Sequence, residues 1–264
     1  MPYRRPLNPF RYSIKNMIQL HNRIKGSIYE NVDADISMEL GAGHLNDLSR
    51  WQKIKKVYAV EYDRPSLKRG MEYYEEYQGK KPDIVFINAD VRNDPLWEMI
   101  PDMKGKINSI FINFSIHYFL CDKKSIDNLL SIIEYFLAEN GYVIVTCLDG
   151  KKIFDILRNK SIYKIMNSNV TLFSMKKMYT QTDQLLDYGQ IIKSYVISIG
   201  IPHNECLVNI EFLEKLLKEK GIILCEKISF PEYARLYNVR KDRMSSGEKN
   251  YSSLCVYLKF KKIA

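Results

Sequence analysis

Cysteine and histidine are both scarce in this chain, and neither forms a pattern typical of a metal site. The 264 residues include five cysteines and four histidines. The cysteines are scattered, with no Cys-x-x-Cys pair and no His-Cys cluster, at Cys121, Cys147, Cys206, Cys225 and Cys255. This spacing supports neither a zinc site nor a disulfide framework, so we expect no metal and a reducing compartment.

Long apolar runs are also lacking. No stretch reaches the length of about 20 apolar residues that a transmembrane helix needs, so we expect no membrane partner. The first segment, residues 1–12, is a basic tail without the apolar centre of a secretory signal. Acidic residues are the minority, at 31 against 40 Lys+Arg, for a net charge of +9. That balance favours a polyanionic partner.

Strands alternate with helices over the first half of the chain. Strands are predicted at 35–40, 56–62, 83–90, 107–115 and 142–150, and helices at 13–30 (capped by Ser13), 46–54, 65–78 and 125–141. Residues 170–175 and 189–200 indicate antiparallel strands, followed by a helix at 209–221, a mobile loop at 240–250 and a strand at 251–262. This order predicts an α/β fold with a mostly parallel sheet and helices on both faces.

The first strand runs into a glycine turn, "SMELGAGHLN". Gly41 and Gly43 let the backbone approach a ligand closely, but Asn46 stands where a dinucleotide site has its third glycine. Glu61 ends the second strand, where an acid binds ribose hydroxyls, and Asp90 ends the third, where one can accept from an adenine amine. Adenosine therefore fits the turn better than a dinucleotide does. In the alternative, the two acids only cap helices.

Glu39 precedes the glycines and would repel a phosphate, whereas it suits a ligand that carries a positive amino group. Adenosine joined to an α-amino acid describes S-adenosylmethionine. We therefore expect S-adenosylmethionine as the cofactor.

Three further stretches, "LHNRIKGSIY", "INFSIHYFL" and "NECLVNIEFLEKLLKEKG", carry a family resemblance. They resemble the Asn-x-x-Lys helix, the aromatic-x-x-His-Tyr motif and the Glu-x-Leu-Val segment of mRNA cap guanine-N7 methyltransferases. The likeness extends from about residue 13 to residue 260. It implies a Rossmann-like class I methyltransferase with a seven-stranded sheet. It also implies one domain, 13–264, with a cofactor half at about 13–150 and a cap-binding, sheet-completing half at about 151–264.

The resemblance implies a role for each matching residue on the cofactor side. It pairs Lys25 with the methionine carboxylate, sets Asn22 beside it, and places Asn113 next to the cofactor, where the family usually has glutamine. Gly41, Glu61 and Asp90 keep the roles described above.

On the cap side, the resemblance assigns Phe114 and Tyr118 to the walls of a guanine pocket. His117 would face the base edge, and Glu205 would accept protons from guanine N1 and the exocyclic amine. Ordinary core packing after a strand is the alternative for the two rings and the histidine.

The chain departs from the family where cap phosphates bind. His44, Leu45 and Asn46 replace a lysine and two glycines, and Tyr73 replaces an arginine, with Arg69 one turn earlier. We expect His44 and Arg69 to contact the cap phosphates. A family tyrosine falls near Cys255, so Tyr251 or Tyr257 could take its place. Such divergence is typical of viral capping enzymes, including those of large cytoplasmic DNA viruses.

The resemblance implies methyl transfer from S-adenosylmethionine to N7 of the guanosine cap of RNA. Its partners would be capped RNA and other domains or subunits of a capping enzyme. Its location would be the cytoplasm for a viral protein (a viral factory or the virion), and the nucleus for a cellular one. Two alternatives stay open: a methyltransferase for another RNA atom or a small molecule, and a non-catalytic cap-binding or RNA-binding subunit.

Overall fold

The computed structural model describes residues 13–167, 169–240 and 242–263, so the predicted basic tail, 1–12, lies outside the described residues. A seven-stranded sheet has the order β10-β11-β5-β4-β1-β2-β3. Its strands are β1 (Ile36–Leu40), β2 (Lys56–Glu61), β3 (Asp83–Asn88), β4 (Ile107–Asn113), β5 (Leu137–Leu148), β10 (Ile222–Ser229) and β11 (Cys255–Lys262).

The strands β1 to β5 are parallel to their neighbours, whereas β11 runs antiparallel to both β5 and β10. The chain order reverses direction between β1 and β4, which creates the crevice where open α/β sheets bind ligands. The carboxyl ends of β1, β2, β3 and β4 meet at this edge. The predicted α/β class and the antiparallel C-terminal part are confirmed.

Helices cover both faces of the large sheet. They are α1 (Lys15–Glu30), α2 (Arg64–Glu76), α3 (Leu96–Met99), α4 (Ile116–Phe119), α5 (Lys123–Phe136), α6 (Gly150–Leu157), α7 (Ile210–Glu219), α8 (Phe230–Leu236) and α9 (Ser246–Ser252). Along β2, Val57 and Ala59 join the buried cluster that contains α1, whereas Tyr58 and Val60 join the cluster that contains α5 and α7. Alternation along a strand thus buries both faces.

A second sheet is inserted between α6 and α7. It is antiparallel, in the order β6-β7-β8-β9, and consists of β6 (Ile162–Asn167), β7 (Val170–Lys177), β8 (Ile191–Val196) and β9 (His203–Cys206). The sequence indicated β7 and β8, while β6 and β9 lack a clear alternating pattern. This sheet brings Glu205, on β9, to the crevice side of the molecule.

Two predicted helices differ from the structure: the first is not formed, and the second ends earlier than predicted. The predicted helix at 46–54 is a series of turns with one short 3₁₀ helix, Leu48–Arg50. The positive φ values of Gly43 (55°) and Leu45 (55°) stop a helix from starting at the glycine turn. The predicted helix at 125–141 ends at Phe136, and Gly141 lies inside β5, where a Cβ would come 2.9 Å from the Asn108 carbonyl. Gly141 therefore allows close strand approach and does not cap a helix.

The predicted mobile loop at 240–250 is also wrong in part, because it contains most of α9. Ser245 and Glu248 form a capping box, in which Glu248 N donates to Ser245 Oγ and Ser245 N donates to Glu248 Oε2 at 2.8 Å. At the first helix, Ile14 is the N-cap residue, in place of the predicted Ser13.

One pair of cysteines contradicts the expectation that no disulfide forms. Cys121 and Cys206 lie 85 positions apart in the chain, yet their sulfurs are joined at 2.07 Å. Cys121 follows α4 and Cys206 ends β9, so the bond connects the large sheet to the small one. Sequence spacing could not reveal this pair, because the fold alone brings the two residues together. Cys147 and Cys255 are buried free thiols, and Cys225 is an exposed one.

Candidate active site

The glycine turn is fixed by its contact with the end of β4. Gly41 has φ +83°, and a Cβ there would lie 2.7 Å from the Ser115 Cβ. Ser115 Oγ donates to the Leu40 carbonyl at 2.7 Å, which joins the ends of β1 and β4. A side chain at Gly41 would therefore be strained and would collide with Ser115.

Glu61 holds the turn from the end of β2. Its Oε2 accepts from Gly43 N at 2.8 Å and its Oε1 accepts from Asp63 N at 2.9 Å. The side chain is buried, so these two backbone donors satisfy part of the carboxylate and leave lone pairs for a ligand.

Asp90 follows β3 and forms a bidentate pair with Arg92. Arg92 Nε donates to Oδ1 at 2.9 Å and Arg92 Nη2 to Oδ2 at 2.8 Å, while Asn93 Nδ2 donates to Oδ2 at 3.2 Å. Burial raises the pKa of Asp90, but the hydrogen bonds and the charge of Arg92 have the larger, opposite effect. The pKa is therefore lowered overall, and the carboxyl stays ionised. The guanidinium of Arg92 lies 5.2 Å from the ring centre of Tyr62. The sequence interpretation missed Arg92, although it stands only two positions after the acid.

A cavity of about 320 Å³ opens where these strand ends meet. Its lining combines four of the seven predicted cofactor residues with the two predicted cap-pocket rings, whereas Asn22, Lys25 and Glu39 are not part of it. It includes Gly41, Glu61, Tyr62, Asp90, Arg92, Asn113, Phe114 and Tyr118. We call it the adenosine cavity.

Glu39 belongs to a buried polar network that reaches this cavity through Asn113. Tyr29 Oη donates to Glu39 Oε2 at 2.6 Å, and Asn113 Nδ2 donates to Oε1 at 3.1 Å. Thr146 Oγ1 donates to Asn113 Oδ1 at 2.9 Å, which orients the amide. Burial, together with the charge of Asp47, raises the pKa of Glu39 to about 8.

Lys25 is near the same network and pairs with Asp47. Its Nζ lies 2.7 Å from Asp47 Oδ1, and Arg50 binds the same oxygen. Asn22, one turn before Lys25 on α1, accepts from Arg50 Nε through its backbone carbonyl at 3.1 Å. The predicted Asn-x-x-Lys pair therefore contacts the segment that follows the glycine turn.

A second cavity, of about 310 Å³, lies on the other side of Phe114 and Tyr118, and we call it the base cavity. The residues predicted for the guanine pocket all line it: Phe114, His117, Tyr118 and Glu205. Because Phe114 and Tyr118 also line the adenosine cavity, the two rings form a common wall between the cavities.

Residues 7–253 match the mRNA (guanine-N(7))-methyltransferase domain. The chain belongs to this family. Membership confirms the predicted enzyme class and S-adenosylmethionine as the cofactor that the family uses. The adenosine cavity and the base cavity are accordingly the two halves of one candidate active site.

Relatives of this methyltransferase chain are found among viral capping enzymes. This chain is 32% identical over 197 residues to a probable mRNA-capping enzyme of Acanthamoeba polyphaga mimivirus, and the match covers 65% of this chain and 16% of that protein. It is 24% identical over 248 residues to the mRNA-capping enzyme of African swine fever virus (isolate Tick/South Africa/Pretoriuskop Pr4/1996), covering 85% of this chain and 28% of that protein. The chain thus spans less than a third of the length of these relatives.

Solved structures share the fold at low identity. An S-adenosylmethionine-dependent methyltransferase from Clostridium acetobutylicum is similar with a TM-score of 0.60, at 15% identity over 97% of this chain and 96% of that one. The CcbJ methyltransferase from Streptomyces caelestis is similar with the same TM-score of 0.60, at 16% identity over 92% and 90%. These likenesses confirm the Rossmann-like class I methyltransferase fold.

In the base cavity of this methyltransferase, Phe114 adopts an uncommon backbone conformation, with φ +51°. Its ring lies parallel to that of His21 at 6.2 Å and edge-on to that of Phe230 at 5.8 Å. A non-glycine residue in this region carries backbone strain. Here it directs the ring into the wall between the cavities.

His117 is buried, and its Nε2 has no hydrogen-bond partner among the described residues. Burial is the main cause of a lowered pKa, and the charge of Glu205 opposes it. Beside it, burial raises the pKa of Tyr118 to about 12, so both side chains are neutral near pH 7. An unpaired buried nitrogen costs about 1–3 kcal/mol, which a ligand acceptor or donor could recover.

Glu205 is buried at 8% exposure and accepts from His203 Nε2, which lies 2.5 Å from its Oε1. Burial raises the pKa of this carboxyl. The hydrogen bond and the charge of protonated His203, together with the hydrogen bond from Ser194, lower it more, so Glu205 is ionised. His203, two positions earlier on β9, was missed by the sequence interpretation because β9 was not predicted as a strand.

The two substitutes proposed for the family tyrosine differ in position. Tyr251, on α9, lines the base cavity and stacks on Phe173 at 4.1 Å. Tyr257, on β11, instead packs edge-on against Tyr233 at 5.1 Å. His21, on α1, also lines the base cavity and lies 2.9 Å from Ser252 Oγ, and burial lowers its pKa to about 3. Tyr251 is therefore the substitute that reaches the base cavity.

The predicted phosphate residues contact each other. Arg69 Nε donates to His44 Nε2 at 3.1 Å, which joins α2 to the glycine turn. Gly70 permits this approach, since a Cβ there would lie 2.9 Å from Leu45 Cγ. Neither residue is among the described residues that line the two cavities.

In the described ranges, no three acidic, cysteine or histidine side chains group closely enough to hold a metal ion. No helix of those ranges has the length and apolar character to cross a membrane.

Proposed function

We propose that this chain transfers the methyl group of S-adenosylmethionine to N7 of the guanosine cap of RNA, by in-line displacement without a general base. The common wall of Phe114 and Tyr118 carries the proposal. A methyl donor in the adenosine cavity and a guanine in the base cavity would both contact these rings, so that the methyl group and N7 would meet beside the rings. Family membership supports the same reaction.

For this reaction, the protein has to align the two reactants and stabilise the charge that develops. The sulfonium is already a strong electrophile, and guanine N7 has a free lone pair and no proton to lose. Catalysis then depends on alignment and on stabilising the positive charge that develops on the purine. The aromatic faces of Phe114 and Tyr118 and the carboxylate of Glu205 are suited to that charge.

On the cofactor side, Glu61 would bind the ribose hydroxyls with the lone pairs left by Gly43 and Asp63. Asp90 would accept from the adenine amine, which requires Arg92 or Asn93 to release one of its hydrogen bonds. Lys25, with Asn22 beside it, would bind the methionine carboxylate and share its charge with Asp47. Gly41, which has no side chain, would let the backbone lie close to the cofactor, next to Asn113.

Glu39 would receive the ammonium group, either directly or through water. At pH 7 its raised pKa keeps it mostly protonated without the ligand. A nearby cation lowers the pKa, so binding should release a proton, and affinity should increase with pH up to about pH 8. Calorimetry at about pH 7 in two buffers of different ionisation enthalpy should show release of up to ~1 proton. Glu39→Gln should abolish the buffer dependence; an identical dependence in that variant would contradict this role.

On the cap side, Glu205 has the capacity to read guanine. A carboxylate has about four lone-pair sites, and His203 and Ser194 use two of them. Two remain for guanine N1–H and the exocyclic amine. His117 would contact the adjacent O6 edge, which would supply the missing partner of its Nε2.

His44 and Arg69 would bind the cap phosphates in place of the lost family residues. Arg69→Ala should raise KM for GpppRNA by roughly 3- to 10-fold and flatten its salt dependence, because one phosphate contact is lost. The matched control is Arg235→Ala, an exposed arginine on α8. Steady-state rates at several salt concentrations test this, and equal salt slopes in the two variants would remove Arg69 from the phosphate site.

The proposed function is tested by incubating the chain with labelled S-adenosylmethionine and GpppG, or with ApppA as a control. We expect label in 7-methylguanosine after digestion of GpppG and no transfer to ApppA. Cofactor binding without transfer would instead indicate a non-catalytic cap-binding subunit. Label at another position of the dinucleotide would indicate a methyltransferase for a different atom.

The relatives are long capping enzymes of viruses, and this chain matches a fraction of each. We therefore propose capped RNA as substrate, further capping domains or subunits as partners, and the cytoplasm of an infected cell as the location.

A further inference from the structure

His203 and Glu205 stand two positions apart on β9, so their side chains project from the same face of the small sheet. Both line the base cavity, and His203 Nε2 lies 2.5 Å from Glu205 Oε1. The other ring nitrogen, Nδ1, lies 3.5 Å from the Ile201 carbonyl, at the limit of a hydrogen bond. The histidine is thus held mainly by the carboxylate.

The groups that face this pair from other elements are neutral. Ser194, opposite His203 on β8, donates to Glu205. His117 and Tyr118 approach from α4, Tyr251 from α9 and His21 from α1, and burial keeps each of them uncharged near pH 7. Of the described residues that line the base cavity, none is a lysine or an arginine. His203 is therefore the cation in that lining which can offset the charge of Glu205.

The two partners also shift each other in the directions that an ion pair requires. The hydrogen bond to Glu205 raises the pKa of His203 above its ordinary value, although partial burial opposes it. The side chain of His203 keeps 28% of its surface exposed, so it can exchange protons with solvent. As the pH rises through the pKa of His203, the pair changes from neutral overall to a single negative charge.

We propose that His203 is a positioning residue that sets the charge which Glu205 presents to guanine. This inference rests on the proposed function, in which Glu205 reads the base. An imidazolium cancels the carboxylate charge just where the purine becomes cationic. A neutral imidazole still donates from Nε2 but leaves the negative charge available to the transition state. The rate should therefore increase with pH.

The test measures kcat/KM for GpppG between about pH 6 and 8 at saturating S-adenosylmethionine, so that proton linkage at Glu39 does not contribute. In the parent protein we expect an increase of ~10-fold with an apparent pKa above that of free histidine, since a unit charge a few ångströms away strongly affects a developing cation. His203→Gln keeps a donor without a titrating charge. It should give a flat profile near the upper level of the parent.

His203→Ala removes the donor as well as the charge. Its KM for GpppG should rise by at least ~5-fold, since Glu205 is no longer fixed, while its cofactor affinity matches that of the parent and reports correct folding. If the parent methylates GpppG and His203→Gln keeps the same rise with pH, this inference fails and the proposed function stands. If the parent transfers no methyl group at any pH, the proposed function fails and the inference fails with it.

Discussion

Glu205→Gln is expected to lower kcat/KM for methylation of a guanosine cap by at least ~100-fold, about 2.7 kcal/mol. The substitution preserves the size of the side chain but removes its charge and replaces one acceptor oxygen by a donor. An amide NH₂ directed at guanine N1–H or at the exocyclic amine sets donor against donor. The lost charge also removes electrostatic stabilisation of the cationic purine, so kcat should fall as well as affinity.

Steady-state kinetics with GpppG measures this effect, and Glu219→Gln at the exposed end of α7 is the matched control. Binding of S-adenosylmethionine should stay close to that of the parent, because Glu205 lines the base cavity and not the adenosine cavity. A variant that methylates the cap at nearly the parent rate would show that the guanine is read elsewhere.

Glu61→Ala is expected to weaken binding of S-adenosylmethionine by roughly 1–3 kcal/mol, a factor of about 5 to 150. The substitution leaves the ribose hydroxyls without their acceptor. It also removes the acceptor of Gly43 N and Asp63 N, which donate to Glu61 at 2.8 and 2.9 Å. Because the substitution removes both sets of hydrogen bonds, we expect it to lower the affinity for S-adenosylmethionine strongly.

Calorimetry gives the dissociation constant, and Glu72→Ala on the exposed face of α2 serves as the control. Thermal unfolding without ligand separates a general loss of stability from a loss of ribose contacts. An unchanged dissociation constant would mean that the ribose does not lie at the end of β2.

The parallel part of the fold was predictable because its strands are buried on both faces and read as continuous apolar runs. The same rule brings the residues after β1, β2, β3 and β4 to one edge, which is why Glu61 and Asp90 were expected together. The family resemblance added Asn113 to them. Their partners were not predictable. Asp90 pairs with Arg92 and Lys25 with Asp47 through side-chain conformations that no spacing specifies.

The inserted sheet was the harder part to predict. Antiparallel strands joined by long connections give weak local signals, and β9 has only four residues, His203–Cys206. Its position beside α4, fixed in part by the Cys121–Cys206 bond, follows from contacts between distant segments. The family resemblance placed Glu205 in the cap pocket, while the role inferred for His203 required the strand and its register.

In the proposed function, the rings of Phe114 and Tyr118 contact both ligands, so the two binding equilibria are expected to depend on each other. A ring that moves to fit one ligand changes the shape of the other cavity, so the two binding free energies contain a shared coupling term. Such coupling is reciprocal. The factor by which the demethylated cofactor changes the affinity for the methylated cap equals the factor by which the methylated cap changes the affinity for the demethylated cofactor. The backbone of Phe114, with φ +51°, is strained, and it sets the direction of one of these two rings. The affinities of the two products would thus be linked through the rings that line both cavities.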